Sequence, residues 1–235
     1  MSFKKITIYL AITLTLLAVV SCKENKEFSK DSPPTSPPVW PNQFEQSFDE
    51  TFTYPLVGTH TTKGKFFYDW TNKMYRVDRD NGHYDRYCGP VYPFSNTPCS
   101  QIVTSGDRYL YFPQKDYCCY CCSSEHGCGI LKPDWLSGAS FIDYVTEQDG
   151  TVFEKWNKPG LQSNFYYATA TDRIMKKIDQ QPNDTQDFDV SSFKSTISDP
   201  NVFNLPAKCK KDFACPFISA CTAVRKMVEG KAFLN

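Results

Sequence analysis

Histidine is scarce in this chain, with three in 235 residues. That leaves little for catalysis or metal ligation built on imidazole. A Gly-x-Ser-x-Gly elbow, a His-Glu-x-x-His helix and a phosphate-cradling glycine loop are all missing. Net charge is missing too, because 26 Lys and Arg balance 26 Asp and Glu. A nucleic-acid-binding domain needs a basic excess or stripe, and an acidic tail protein needs the reverse. Past residue 22 no run is apolar enough to span a membrane. The 16 prolines outnumber the 11 glycines, a balance that suits turns and strands better than long helices.

What the chain does have is core material and sulfur. Aromatic residues make up 15% of it and charged residues 22%, which argues against disorder of the whole chain. Eleven cysteines are the most informative count.

The N-terminus sets the compartment. Lys4 and Lys5 precede an uncharged run over residues 6–20, followed by Ser21 and Cys22. This is the plan of a secretory signal peptide, and residues 1–22 are expected to be removed and the protein secreted. At 15 residues the run is short of the roughly 20 that cross a bilayer. Val19-Val20-Ser21-Cys22 also allows a lipobox, in which Cys22 is lipidated rather than removed.

Residues 23–43 form a charged, then proline-rich lead-in with Pro33, Pro34, Pro37, Pro38 and Pro41. One domain is expected over residues 44–235. Phe44, Phe48, Phe52 and Tyr54 share one parity, while Glu45, Ser47, Asp49, Thr51 and Thr53 take the other, as on a strand with one dry face. Residues 65–70 and 74–79 flank Thr71-Asn72 as a hairpin. A strand at 107–113 follows, then hairpins over 139–157 and 162–179. Seven or so strands in an antiparallel sheet or barrel result. Pro216 is placed to open a C-terminal helix, with Phe217, Ile218, Cys221, Val224, Met227 and Val228 on the face that docks.

Once Cys22 is removed, ten cysteines remain: Cys88, Cys99, Cys118, Cys119, Cys121, Cys122, Cys128, Cys209, Cys215 and Cys221. The CCYCC spacing, with His126 nearby, would suit a metal cluster. An even count behind an export signal favours disulfides. Neighbouring cysteines rarely bond each other, so the cluster should tie to distant segments. Cys88 with Cys99 would close a short loop, and Cys209, Cys215 and Cys221 would pin the tail. The remaining chemistry is thin. His60, His83 and His126 lack an adjacent nucleophile pattern. Asp78 with Asp80, and Asp187 with Asp189, are pairs of a kind that binds calcium or acts as acid and base, but loop acids are usually just solvated. Asn183-Asp184-Thr185 is an N-glycosylation sequon.

Several stretches together resemble a known group. These are PPVWPNQF (37–44), FFYDWTNKMYRVDR (66–79), DRYCG (85–89), CCYCC with HGCG (126–129), KPDW (132–135), KPGLQSNFYY (158–167) and DPNVFNLPAKC (199–209). The set resembles uncharacterised secreted Cys-rich proteins of plants and protists, and the non-catalytic N-terminal part of counting-factor-associated papain-like proteases. More distantly it is similar to ependymin-related proteins, which share the half-barrel of LolA/LolB-like lipoprotein carriers. The resemblance implies a mainly β, antiparallel half-barrel with a C-terminal helix, braced by disulfides, that holds an apolar ligand. It carries no catalytic Cys–His–Asn set onto this chain.

The residues supply a motive of their own. One parity of the central strands offers Phe66, Tyr68 and Trp70, then Tyr75 and Val77, then Tyr109 and Tyr111 as the lining of a ligand cavity. Lys65, Asp69, Arg76 and Asp78 fall on the wetter face. The leading expectation is a secreted, non-enzymatic protein that binds a lipid or other apolar or amphipathic small molecule. It needs no cofactor or metal, binds no nucleic acid, and does not span a membrane. The rivals are a structural or interaction protein of the cell surface or matrix, and a regulator of a secreted protease.

Overall fold

The computed structural model describes residues 32–160, 163–180 and 182–232. The expected signal segment, Cys22 and the start of the lead-in lie outside them. Among the described residues eleven strands are formed: β1 (Gln43–Tyr54), β2 (Gly58–Asp69), β3 (Met74–Arg79), β4 (Cys99–Thr104), β5 (Asp107–Phe112), β6 (Tyr117–Ser123), β7 (Ser140–Thr146), β8 (Val152–Pro159), β9 (Ser163–Thr169), β10 (Met175–Gln180) and β11 (Asp184–Phe188). An α-helix, α1 (Ala220–Ala232), follows.

All eleven strands belong to one open antiparallel sheet in the order β6-β5-β4-β3-β2-β1-β11-β10-β9-β8-β7. Two meanders thus meet where the first strand pairs with the last, Glu50 opposite Gln186 and Phe48 opposite Phe188. The turns obey local chemistry. Between β4 and β5, Ser105 and Gly106 both have positive φ, the conformation a two-residue hairpin turn requires. Buried residues of strands far apart in the order, Tyr75 on β3 and Trp156 on β8, join one apolar cluster, so the sheet curls around its inner face. Residues 130–139 fill that curl through Leu136 and Trp135.

The packed body starts before Phe44. Trp40 is buried, its indole N–H donates to the Tyr166 hydroxyl at 2.9 Å, and its backbone N–H donates to the Pro133 carbonyl. Its ring meets Phe44, Tyr68 and Trp135 edge-on. The end of the proline-rich segment is therefore part of the core.

The sequence underestimates the strand count. β4 (CSQIVT) is buried on both faces and does not alternate. β6 is the cysteine run itself, and β11 (DTQDF) is polar.

Sulfur fixes the edge at β6. Cys118 bonds Cys209, Cys119 bonds Cys215 and Cys121 bonds Cys221, so the tail runs parallel to β6, with a bridge from Tyr120 to Ala214. Cys88–Cys99 and Cys122–Cys128 close short loops. Adjacent cysteines thus go to different partners, and the tail is pinned as expected. Cys121, Cys122 and Cys128 come close enough to hold a metal, but each sulfur is already in a disulfide. Such a framework is typical of proteins from oxidising compartments.

The docked face expected of the tail helix is formed only in part: Cys221 is buried and Val224 packs against the sulfur-rich cluster. α1 begins at Ala220, and Phe217, Ile218 and Met227 are exposed, while the side chain of Val228 lies outside the described residues. The helix is held by its disulfide, by Arg225, which donates to the Cys121 carbonyl, and by the short apolar contact of Val224.

Candidate functional site

The inner face of the sheet follows from register. On β1 the even positions Phe44, Gln46, Phe48, Glu50 and Phe52 point inward and are buried. Opposite them on β2 stand Tyr68, Phe66, Gly64, Thr62 and His60. Pairing carries the face on to Tyr75, Val77 and Arg79 of β3, and to Val103 and Gln101 of β4. On β5 it reaches Arg108 and Leu110. On the other side it passes through Gln186 and Asp184 of β11 to Ile178 and Gln180 of β10.

This face holds a cavity of about 280 Å³ with two unlike halves. Phe66, Tyr68, Val77, Leu131 and Ile178 make an apolar wall. Tyr68 is fully buried and donates its hydroxyl to the Leu131 carbonyl at 2.7 Å, so it serves the core and the wall at once. Burial pushes its phenol well above the ordinary value. Arg79, Asp85, Gln101, Arg108 and Asp184 make a charged wall.

Sequence and local geometry place the charged wall. Gly64 stands opposite both Phe48 and Arg79, and a β-carbon there would lie 2.3 Å from the Phe48 ring. Only glycine leaves room for the Phe48 ring to lie across β2. Arg79 donates to both Glu50 oxygens and forms an ion pair with Asp85 at 3.4 Å. Glu50 also accepts from Gln186 at 2.7 Å. Burial works against the charge of Arg79, but Asp85 and Glu50 outweigh it and raise its pKa. Asp85 sits in the connection between β3 and β4, three residues before the Cys88–Cys99 disulfide. It accepts from the backbone N–H groups of Tyr87 and Cys88 and from Gln101. Arg108 lies between the Tyr75 and Tyr87 rings, 5.6 and 5.0 Å from their centres.

Asp184 is raised from 3.8 to about 7, first by burial and then by Glu50. Folding therefore binds a proton more tightly there than the unfolded chain does, and stability falls as pH rises from about 4 through 7. Asp184→Asn should flatten that fall, worth on the order of 2–4 kcal/mol. Denaturant midpoints at pH 5 and pH 8 check this, and an unchanged difference between them would exclude Asp184 as the cause. Glu45, on the outer face, acts in a different window. Burial pushes it up, but hydrogen bonds from Ser198, Lys65 and Lys194 prevail and bring it to about 2, so its contribution is complete above about pH 4.5 and is lost progressively as pH falls from there through about 2.

Of the seven residues expected to line a cavity, Phe66, Tyr68, Tyr75 and Val77 do so. Trp70 follows β2 and packs at the margin of the core, under Lys73. Tyr109 and Tyr111 point to the outer face, opposite Ile102 and Ser100, in a cluster with Cys118, Tyr120 and Cys209. The expectation fails for these two because Arg108, Leu110 and Phe112 hold the inward parity of β5. Lys65, Asp69, Arg76 and Asp78 do fall on the outer face, where Arg76 pairs with Asp78 at 2.6 Å. The charged wall escaped sequence reasoning altogether, although Glu50 shares the parity of Phe48 and Phe52.

The other singled-out residues have structural partners. His60 and His83 stack on Tyr84, and His126 bonds Ser123. Asp187 pairs with Lys176 and Lys177, and Asp189 accepts from the Ser191 backbone. Asn183 sits in the β10–β11 turn, its carbonyl accepting from the Thr53 backbone.

No protein-family model matches the chain, and no curated protein matches it. Among solved structures it is similar to an uncharacterised conserved protein from Thermus thermophilus, at 11% identity and a TM-score of 0.44, covering 72% of this chain and 90% of that one. It is also similar to a LolA superfamily protein from Nitrosomonas europaea, at 7% identity and a TM-score of 0.34, covering 70% and 90%. A domain from Vibrio parahaemolyticus described as a putative outer membrane lipoprotein-sorting protein domain is similar at 10% identity and a TM-score of 0.35, covering 69% and 89%.

Proposed function

We propose that this is a secreted, non-enzymatic binding protein that holds a small amphipathic ligand on the inner face of its sheet. The observation that carries the reading is the cavity with one aromatic and one charged wall. An apolar chain would lie along Phe66, Val77 and Ile178, with its polar end toward Arg79 and Arg108. At about 280 Å³ the cavity lies near the lower end of the roughly 300–1,000 Å³ usual for ligand pockets, so the ligand is small. Five disulfides support export, because they persist in oxidising compartments.

Native mass spectrometry of the disulfide-intact protein, with extraction of what co-purifies, tests the reading directly. A fluorescent apolar probe tests it independently. Ile178→Trp fills the cavity from half-buried β10 and should weaken probe binding by about 10-fold or more, since it costs the apolar contacts of several buried groups. Its melting temperature should stay near that of the parent. A parent protein that binds no apolar probe would sink the proposal. A folded Ile178→Trp that binds as tightly as the parent would move the site elsewhere.

A second reading, an interaction protein of the cell surface or matrix, is favoured by one feature. Phe217 and Ile218 are 74% and 84% exposed beside α1. Exposed apolar groups of this size mark contact surfaces when contiguous.

A further inference from the structure

We infer that the ligand of this cavity carries a carboxylate and that Arg108 is the residue that receives it. The inference rests on the amphipathic-ligand reading above. Arg108 is only 9% exposed, yet no carboxylate pairs with it among the described residues, and its Nε is buried without a hydrogen-bond partner. A buried guanidinium without an anion is costly, and the flanking rings of Tyr75 and Tyr87 offset only part of that cost. Its neighbour Arg79 makes the contrast plain. That side chain is satisfied by Glu50 and Asp85 except at Nη1, which is also buried and unpartnered. Both arginines line the same cavity. Both guanidiniums therefore border one space whose opposite wall is aromatic, and the protein satisfies neither of them fully.

Charge counting selects the kind of anion. Arg79, Arg108 and, at the exposed margin, Arg86 face Glu50, Asp85 and Asp184. Burial and Glu50 hold Asp184 partly protonated near neutral pH, which leaves a fractional positive excess. A monoanion therefore suits this wall better than a dianion, and a planar carboxylate matches the guanidinium fork. A dianionic phosphate would instead confront the Asp85 and Glu50 carboxylates.

Calorimetric titration of the disulfide-intact protein with decanoate, decanol and decyl phosphate tests this. Decanoate should bind roughly 10- to 100-fold more tightly than decanol, the range expected for charge-assisted hydrogen bonds. Arg108→Met should bring the two to equal affinity while the melting temperature holds or rises. If Arg108→Met does not fold, Arg108→Lys keeps the charge, loses the fork, and should narrow the preference severalfold. Equal binding of decanoate and decanol by the parent overturns the carboxylate inference and leaves the amphipathic reading standing. Tighter binding of decyl phosphate overturns it in favour of a phosphoryl group. If none of the three binds, both readings fall together.

Discussion

Reducing the five disulfides should unfold this protein at physiological temperature. Each native bridge in a secreted domain stabilises it by roughly 2–5 kcal/mol, against a net stability of about 5–15 kcal/mol. The three bridges from β6 span 91, 96 and 100 residues, so they constrain the unfolded chain most. They also hold the tail against an otherwise open sheet edge. The sulfur-rich cluster around Leu110 and Phe112 contains eight half-cystines, so that end of the sheet has little aliphatic material to replace them. A thermal melt in reducing agent should show no cooperative transition above about 40 °C, whereas the oxidised protein melts as one unit. A reduced protein whose melt barely moves would show that the aromatic cluster around Trp40 and Phe44 suffices alone.

The parts of this fold that were legible in the sequence are those governed by one strand at a time. Phe44, Phe48 and Phe52 announce the dry face of β1, and short turns announce the hairpins around β2 and β3, β7 and β8, and β9 and β10. What failed is what depends on aligning strands. In β5 both parities are apolar or aromatic, Tyr109 and Tyr111 on one and Leu110 and Phe112 on the other. Only the pairing of Val103 with Arg108 decides which set turns inward, and a slip of one residue reverses every side chain. The charged wall was hidden for a related reason. Alternation sorts residues by hydropathy and gives no role to Glu50 and Gln46, which share the parity of the phenylalanines. They are buried there because partners from β3, β10 and β11 reach them across the curl, contacts that no local pattern contains. Cysteine partners were equally non-local. Their even number implied bridges, while the particular pairs of β6 with the tail required the fold.

Replacing Glu50 alone should be far more damaging than replacing it together with Arg79. Glu50 is completely buried and accepts from Arg79 twice and from Gln186 once. Glu50→Ala leaves a buried guanidinium with only the 3.4 Å contact to Asp85 and an emptied space beside Phe52. Breaking one side of a buried pair costs about 3–5 kcal/mol. For a domain of this size that lowers the melting temperature by about 6–20 °C. Glu50→Leu combined with Arg79→Met removes both charges and keeps the volume, and such replacements are often neutral or stabilising. Asp85 tolerates the loss of Arg79 because the Tyr87 and Cys88 backbone and Gln101 still donate to it. The double variant should therefore melt within a few degrees of the parent. If Glu50→Ala instead costs less than about 1 kcal/mol, Asp85 alone satisfies Arg79, and the Glu50 pair is not what holds the charged wall in place.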